Sequence, residues 1–233
     1  MLQRFEFEIV CMESGHVIGS VVEKLHGALF SWLKEWNPST ATSIHDVGKR
    51  SFVITSLEST GPIIKHAGQL QLEKGSLYRF RVHSLDTQAF EALQALSECI
   101  KGKSFFLNNA TVRVDNIHPL DTPISYAGIM EQAIHKIEQR KWNITFLTPT
   151  SFRRQRQQQL FPLPELVFGS LLKTEMLRFS DYKVIGFKGK VVYLIPKDIA
   201  TYTRIQVAAL SLFAGYAGIG YKTTMGMGQV HIE

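Results

Sequence analysis

Glycines are concentrated at the end of the chain, in a spacing that suits the binding of an anion. Of the 17 glycines, four follow the pattern Gly218-x-Gly220, five residues, then Gly226-x-Gly228. Glycine accepts positive φ and close backbone approach, so successive N–H groups can point at one anion. Lys222 lies inside this segment and adds a positive charge. The pattern predicts a loop that contacts a phosphate backbone.

Two other interpretations of this glycine-rich loop stay open. A Walker-type nucleotide loop would begin with Gly215 and Gly220, but Tyr221 stands where the lysine is required, and Lys222 comes one position late. The predicted helix before the loop also disagrees, because a Walker loop follows a strand. The second interpretation is a glycine-rich hairpin tip without any ligand.

A basic segment follows a predicted strand in the middle of the second half. Phe152 is followed by Arg153 and Arg154 and, after one glutamine, by Arg156. Arginines beside an exposed aromatic residue suit phosphate contacts combined with base stacking. The alternative is a solvated loop whose charges contact only water.

The histidines predict acid–base chemistry without a metal. The chain has eight histidines, but no His-Glu-x-x-His pair and no Cys/His cluster of the kind that binds zinc. His45 lies in a polar stretch after the first predicted helix, close to Lys49 and just before a strand, where it can titrate near neutral pH. His26 lies within that helix, where a packing or surface role is the default expectation.

Composition restricts the class of protein and of partner. The chain has 233 residues, with 26 Lys and Arg against 20 Asp and Glu, a net charge of +6. This basic bias favours a polyanionic partner. Two cysteines exclude a disulfide scaffold and indicate a reducing compartment. The first ten residues carry Arg4, Glu6 and Glu8, unlike a signal peptide, and we expect no membrane-spanning segment.

Hydrophobic periodicity predicts an α+β fold of two tandem ferredoxin-like domains, residues 1–120 and 121–233. Residues 39–50 are predicted as a polar loop. In the first domain the elements follow the order β-α-β-β-α-β, with strands at 1–10, 51–57, 76–84 and 111–117, and helices at 17–36 and after the capping residue Asp86. The second domain repeats this order loosely after a connector helix at 125–138, with strands at 142–148, 183–187, 191–195 and 227–232, and helices at 164–177 and 203–214.

Three motifs together resemble a known family. The glycine spacing of residues 218–228 looks like the signature loop of the RAMP superfamily of CRISPR-associated proteins. Residues 148–153 and 164–172 resemble the endoribonuclease family within it that cleaves CRISPR repeat RNA. Residues 44–57, which contain His45 and Lys49, are similar to the histidine region of that family.

The resemblance implies tandem ferredoxin-like domains that hold RNA along the cleft between them. It also implies metal-independent cleavage of CRISPR precursor RNA within its repeats, by attack of a 2′-hydroxyl that leaves a 2′,3′-cyclic phosphate and a 5′-hydroxyl. His45 corresponds to the general acid/base, and Lys49 is the candidate for charge stabilisation. The RNA contacts would come from Phe152, Arg153, Arg154, Arg156, Gly218, Gly220, Lys222, Gly226 and Gly228.

The expected partners and location follow from the same resemblance. The partner is CRISPR repeat RNA, with other Cas proteins of an effector complex as further candidates, and we expect a monomer or homodimer in the cytoplasm of a prokaryote. No cofactor and no metal are expected.

One departure from the family leaves an alternative open. Some members use a tyrosine from the first helix, whereas the first tyrosine here is Tyr78. The alternative is therefore a non-cleaving RNA-binding RAMP subunit. Taken alone, the glycine-rich loop would also suit a generic module that binds a small phosphorylated metabolite.

Overall fold

A computed structural model of the chain describes residues 1–46, 50–59, 65–66, 69–154, 157–172 and 186–233. It is a mixed α/β protein built on antiparallel sheets. No helix among these residues is long and apolar enough to span a membrane.

The first half forms one large sheet with helices against one face. Its elements are β1 (Gln3–Glu13), β2 (Gly15–Val17), α1 (Val21–Trp36), α2 (Pro38–Asp46), β3 (Phe52–Ile54), β4 (Glu58–Ser59), β5 (Lys65–His66), β6 (Gln69–Leu72), β7 (Leu77–Ser84), α3 (Thr87–Cys99), β8 (Ser104–Leu107) and β9 (Ala110–Pro119). The main sheet runs β3-β7-β1-β9-β8, with β4 also paired to β7, and β2, β6 and β5 form a small second sheet.

The second half is built around a smaller sheet. Its elements are α4 (Tyr126–His135), β10 (Lys141–Thr150), β11 (Phe152–Arg154), β12 (Gln157–Gln159), α5 (Pro164–Leu172), β13 (Phe187–Leu194), α6 (Thr201–Ala217), a 3-10 turn (Thr223–Met225) and β14 (Val230–Ile232). The sheet runs β13-β10-β14, and β11 pairs with β12 as a hairpin.

Period-2 alternation explains the large sheet. In β1, Phe5, Phe7 and Ile9 are buried against α1 and α3, while Glu6 and Glu8 face the opposite side. Asp86 caps α3 as predicted, because its carboxylate accepts a hydrogen bond from the Ala89 N–H at 2.7 Å.

Two predictions of local structure were wrong. The segment predicted as a polar loop, residues 39–50, contains helix α2 as far as Asp46. Two strands had been predicted around Gly186 and Gly189, but β13 is one strand that continues through Gly189, and most of the earlier strand lies outside the described residues.

The core consists of two clusters that do not divide strictly at residue 120. The first cluster lies between the large sheet and the helices α1 to α3. The second lies between the smaller sheet and the helices α4 to α6, yet it also includes Leu2, Val53 and Leu85 of the first half. Leu2 exchanges two backbone hydrogen bonds with Ile124, which ties the first strand to the second half.

Candidate active site

A cleft of about 310 Å³ opens between α1 and α2. Two of its lining side chains are imidazoles, and the full set is His26, Phe30, Lys34, Ala41, Thr42 and His45. Helical spacing explains the lining, because residues four apart share one face of a helix. Thus α1 contributes residues 26, 30 and 34, and α2 contributes residues 41 and 45.

A single asparagine joins the two helices that form the cleft. The backbone N–H of Asn37 donates to Leu33 O and closes α1. Its side-chain oxygen accepts from the Thr40 N–H at 3.1 Å, which begins α2, and Pro38 occupies the first helical position. The Asn-Pro pair therefore ends one helix and starts the next, and it places His45 in the last turn of α2 instead of a loop.

Both histidines of the cleft contact aromatic rings. The His26 ring lies 4.7 Å from the ring of Phe30 and 5.6 Å from that of Phe52. The His45 ring meets the same Phe30 edge-on at 5.2 Å. Phe30 therefore contacts both imidazoles, and the structure brings together two residues that are far apart in sequence.

The two histidines differ in their surroundings. Burial, with a smaller contribution from the neighbouring His45, lowers the pKa of His26 to about 4. His26 is therefore neutral at neutral pH. His45 is exposed at the end of α2.

Cations near the cleft were only partly anticipated. Lys49, the residue predicted to stabilise charge, lies outside the described residues. Lys34 lines the cleft and had not been singled out, nor had His26 as a site residue. The i, i+4, i+8 spacing of residues 26, 30 and 34 on a predicted helix was the signal that could have found both.

The glycine-rich loop packs tightly on the protein itself. A Cβ atom on Gly228 would lie 2.0 Å from Ile219 O, and one on Gly220 would lie 2.5 Å from Ser151 O. Both residues have positive φ, +67° and +92°. Gly218 and Gly226 also have positive φ. The predicted close approach is thus made here to the protein's own backbone.

The loop also touches the helix that carries His26. A Cβ atom on Gly226 would lie 2.8 Å from a methyl group of Val22, in the first turn of α1. Lys222 adopts the left-handed conformation with φ +59°, is only 7% exposed, and has its Nζ 5.7 Å from the centre of the Tyr221 ring. The loop therefore lies at the contact between the two halves.

The basic segment differs from its prediction at one residue. Phe152 was expected to be exposed for base stacking, but it is 2% exposed and its ring stacks at 6.3 Å on Phe187 in the second core. Its burial follows from the strand, because β11 begins at Phe152 and turns this side chain inward. Arg153 and Arg154 belong to β11, and their side chains, like all of Arg156, lie outside the description.

No metal centre is found in the part of the chain that the structure describes. These residues contain no group of three or more His, Cys, Asp or Glu side chains arranged to hold an ion. The two imidazoles of the cleft can instead exchange protons with a bound substrate.

Comparison with protein families gives a match in the second half. Residues 144–230 match the sequence model described as CRISPR-associated endoribonuclease Cas6. The matched region includes β10, the basic segment and the glycine-rich loop.

Two curated relatives carry the same description. The chain is 27% identical over 127 residues to the CRISPR-associated endoribonuclease Cas6 of Mycobacterium tuberculosis, in an alignment that covers 41% of this chain and 40% of that protein. It is 26% identical over 129 residues to that of Streptococcus thermophilus, over 41% of this chain and 51% of the relative. The chain thus spans about half or less of the length of the curated relatives it matches.

Solved structures share the fold over almost the whole chain. A Cas6 product complex aligns with a TM-score of 0.67 and 22% identity, covering 99% of both chains. Thermus thermophilus Cas6 aligns with a TM-score of 0.62 and 18% identity, covering 100% of this chain and 98% of that one. The sequence match in the second half and the shared fold over both halves agree, and in both this chain is similar to Cas6 proteins.

Proposed function

We propose that this protein is a metal-independent endoribonuclease that cleaves CRISPR precursor RNA within its repeats. The observation that carries the proposal is the pair of histidines, His26 and His45, on one cleft. The similarity to Cas6 proteins suggests the class of substrate, since the curated relatives are endoribonucleases and similar solved structures include product and substrate-mimic complexes.

The proposed reaction needs two proton transfers and no metal. A base removes the proton of a ribose 2′-hydroxyl, and the 2′-oxygen attacks the adjacent phosphorus. The bond from phosphorus to the 5′-oxygen breaks, and an acid protonates that oxygen. The products are a 2′,3′-cyclic phosphate and a 5′-hydroxyl, so no water is consumed and the charge balances.

The different surroundings of the histidines suit these two roles. His26 is neutral at neutral pH because its pKa is lowered to about 4, so it is ready to accept the proton of the 2′-hydroxyl. A bound phosphate is an opposite charge that would raise this pKa and strengthen the base. His45, on the exposed side of the cleft, is the proposed acid for the leaving oxygen.

Developing charge on the phosphorane requires a cation. Lys34 lines the same cleft and is one candidate. Lys49 remains the candidate from the sequence, four residues after His45. Either ammonium group would stabilise the transition state more than the ground state if it lies against the non-bridging oxygens.

The second half is proposed to hold the RNA. Arg153, Arg154, Arg156 and Lys222 are proposed to supply positive charge. The N–H groups of Gly218, Gly220, Gly226 and Gly228 already donate within the protein, so these glycines are proposed to shape the loop that lies against the RNA. The contact of Gly226 with Val22 supports this arrangement, because it puts the loop beside the helix that carries His26. One solved structure of similar fold is a RAMP protein binding different RNA substrates.

The proposal includes the finer organisation expected from the sequence. We infer two tandem ferredoxin-like domains, 1–120 and 121–233. The order β9-β1-β7-β3 within the large sheet supports the first of them, and the order β13-β10-β14 is the corresponding part of the second. Other Cas proteins as partners, a monomer or homodimer, and a prokaryotic cytoplasm complete the proposal.

The deciding experiment incubates purified protein with a matching repeat RNA in EDTA and maps the product ends. We expect one cleavage within the repeat, a 2′,3′-cyclic phosphate and a 5′-hydroxyl. The control RNA carries a single 2′-deoxy substitution at the scission site and should stay intact. Cleavage that needs Mg²⁺, or cutting of the deoxy control, would refute the mechanism.

The same experiment separates the alternative of a non-cleaving RNA-binding subunit. That alternative rested on the missing tyrosine of the first helix, but a second imidazole from this helix, His26, lines the cleft. A pure RNA-binding subunit would retain the repeat RNA and cut neither substrate.

A further inference from the structure

The outer face of the smaller sheet is not covered by any of the described helices of the second half. Trp142, Ile144 and Phe146 of β10 point inward, into the core with α5 and α6. The alternate residues point outward, and β13 and β14 continue this face. The outward side chains that carry the argument are Lys141, Asn143, Thr145, Lys188, Lys190, Val192, Leu194, His231 and Glu233; we call this set the outer face.

Positive charge predominates on the outer face. It carries three lysines and one histidine against one carboxylate, Glu233. That carboxylate lies 3.3 Å from Lys190 Nζ and 3.8 Å from His231 Nε2. Lys141 and Lys188 form no ion pair with any described residue.

The corresponding face of the large sheet is built differently. There Arg79 pairs with Glu8 at 2.8 Å, and Arg81 pairs with Glu6 at 2.9 Å and with Glu58 at 3.3 Å. These cations are neutralised within the protein, so they offer little to an anionic ligand. Lys141 and Lys188 of the outer face keep that capacity, because neither forms an ion pair with a described residue.

The outer face continues directly from the glycine-rich loop. The Gln229 N–H donates to Thr148 Oγ1 at 2.9 Å, and the Gly228 N–H donates to Pro149 O at 3.1 Å. Both acceptors are in β10, whose earlier residues, Asn143 and Thr145, form the middle of the face. Polar amide and hydroxyl groups beside lysines suit contacts to phosphate and sugar.

We propose that the outer face binds the RNA backbone and extends the RNA path beyond the glycine-rich loop. This inference rests on the proposed function, because it takes repeat RNA as the ligand. The occupant is an RNA strand and not an acidic protein, because the face continues β10 away from the loop proposed to hold RNA.

The test compares two variants of equal charge change. In one, Lys141→Gln and Lys188→Gln are combined; in the control, Lys74→Gln and Lys101→Gln remove two exposed lysines of the first half. The affinity of each protein for the repeat RNA, made uncleavable by a 2′-deoxy substitution, is measured between 0.05 and 0.5 M salt. Thermal unfolding verifies that both variants fold.

Loss of two phosphate contacts should lower the slope of log Kd against log salt by about 1.4. Over a tenfold range of salt, the Kd of the variant should therefore change roughly 25-fold less than the Kd of the wild-type protein. The control should keep the wild-type slope. The charge-retaining variant with Lys141→Arg and Lys188→Arg should also keep it, and this separates charge from packing.

Equal slopes for the glutamine variant and its control would overturn the inference while the proposed function stands. An acidic protein would then be the better candidate for this face. If wild-type protein does not bind the repeat RNA at all, the proposed function fails, and the inference fails with it.

Discussion

The histidine cleft and the glycine-rich loop were both predicted as site regions, and they differ in what occupies them. The cleft is open, with about 310 Å³ between two helices and two imidazoles on its walls. In the glycine-rich loop, the space beside the glycines is occupied by the protein's own backbone, since Cβ atoms at Gly228 and Gly220 would overlap backbone oxygen atoms. The glycines are thus needed for close packing of the backbone, whereas the histidines place two imidazoles in a cleft that is large enough for a substrate group to enter.

The largest expected effect is on the rate of cleavage, when the histidines of the cleft are replaced. His45→Ala and His26→Ala should each slow cleavage by roughly 10²–10⁴-fold under single-turnover conditions, the usual contribution of acid–base catalysis. RNA affinity should change little, because the main phosphate contacts are proposed to come from the second half. The fold-loss in cleavage rate of the double variant should be much smaller than the product of the two single losses, since the two groups are proposed to act in one reaction.

His135→Ala, at the exposed end of α4, is the matched control and should cleave at the wild-type rate. Full activity of His26→Ala would reduce that residue to a packing role. Full activity of His45→Ala would move the chemistry out of this cleft.

The second effect is on the stability of the basic segment. Phe152→Ala should lower the free energy of unfolding by about 3–5 kcal/mol, because its ring is buried against Phe187. Phe161→Ala removes a ring that is 75% exposed and should change stability by about 0.5 kcal/mol or less. Equal stability of the two variants in urea denaturation would contradict the burial of Phe152.

The third effect tests the packing of the glycine-rich loop. Gly228→Ala should cost about 2–4 kcal/mol of stability, since the methyl group would clash with Ile219 O and φ is +67°. Gly215→Ala is the control, because nothing lies within 4 Å of its Cβ position in helix α6. We expect it to stabilise by about 0.5–1 kcal/mol.

A tolerated Gly228→Ala that still lost RNA binding would reverse our interpretation of the loop. The glycine would then make room for the ligand instead of for the protein backbone.

The smallest effect concerns pH and a histidine between the halves. His83 is buried, and its Nδ1 lies 2.9 Å from Tyr216 O, so that nitrogen carries the proton as donor. Burial lowers the pKa of His83 to about 4. Because the unfolded chain takes up a proton near pH 6.5 and the folded chain does not until about pH 4, stability should fall as the pH drops through this range, by up to about 3 kcal/mol.

His83→Asn keeps a donor for Tyr216 O but does not titrate, so the decrease in stability between pH 6.5 and 4 should shrink. An unchanged pH profile for His83→Asn would contradict the neutral buried form of His83.

Local signals predicted much of the fold, and contacts between distant residues account for the errors. The alternation in β1 and the cap at Asp86 depend on neighbours in sequence, so both were confirmed. Helix α2 was missed because residues 39–43 are small and polar, and Asn37-Pro38 was interpreted only as a stop, although the same pair is a good helix start.

The candidate site could also be predicted only as far as its residues depend on neighbours in sequence. His45 could be singled out from its position. The spacing of residues 26, 30 and 34 places His26 on one face of α1, but that face meets His45 only through the packing of α1 on α2. The burial of Phe152 likewise depends on Phe187, far along the chain. Periodicity indicates which face of an element is apolar, but it does not reveal what covers that face.

The junction at Asn37 has a consequence for how the molecule can move. Both imidazoles sit on one helical hairpin, and the same asparagine closes the first helix and opens the second. The spacing between the two imidazoles is therefore set within the first half. Any displacement of the second half at the Gly226–Val22 contact would move the proposed RNA-binding loop relative to the histidines without changing the spacing between them.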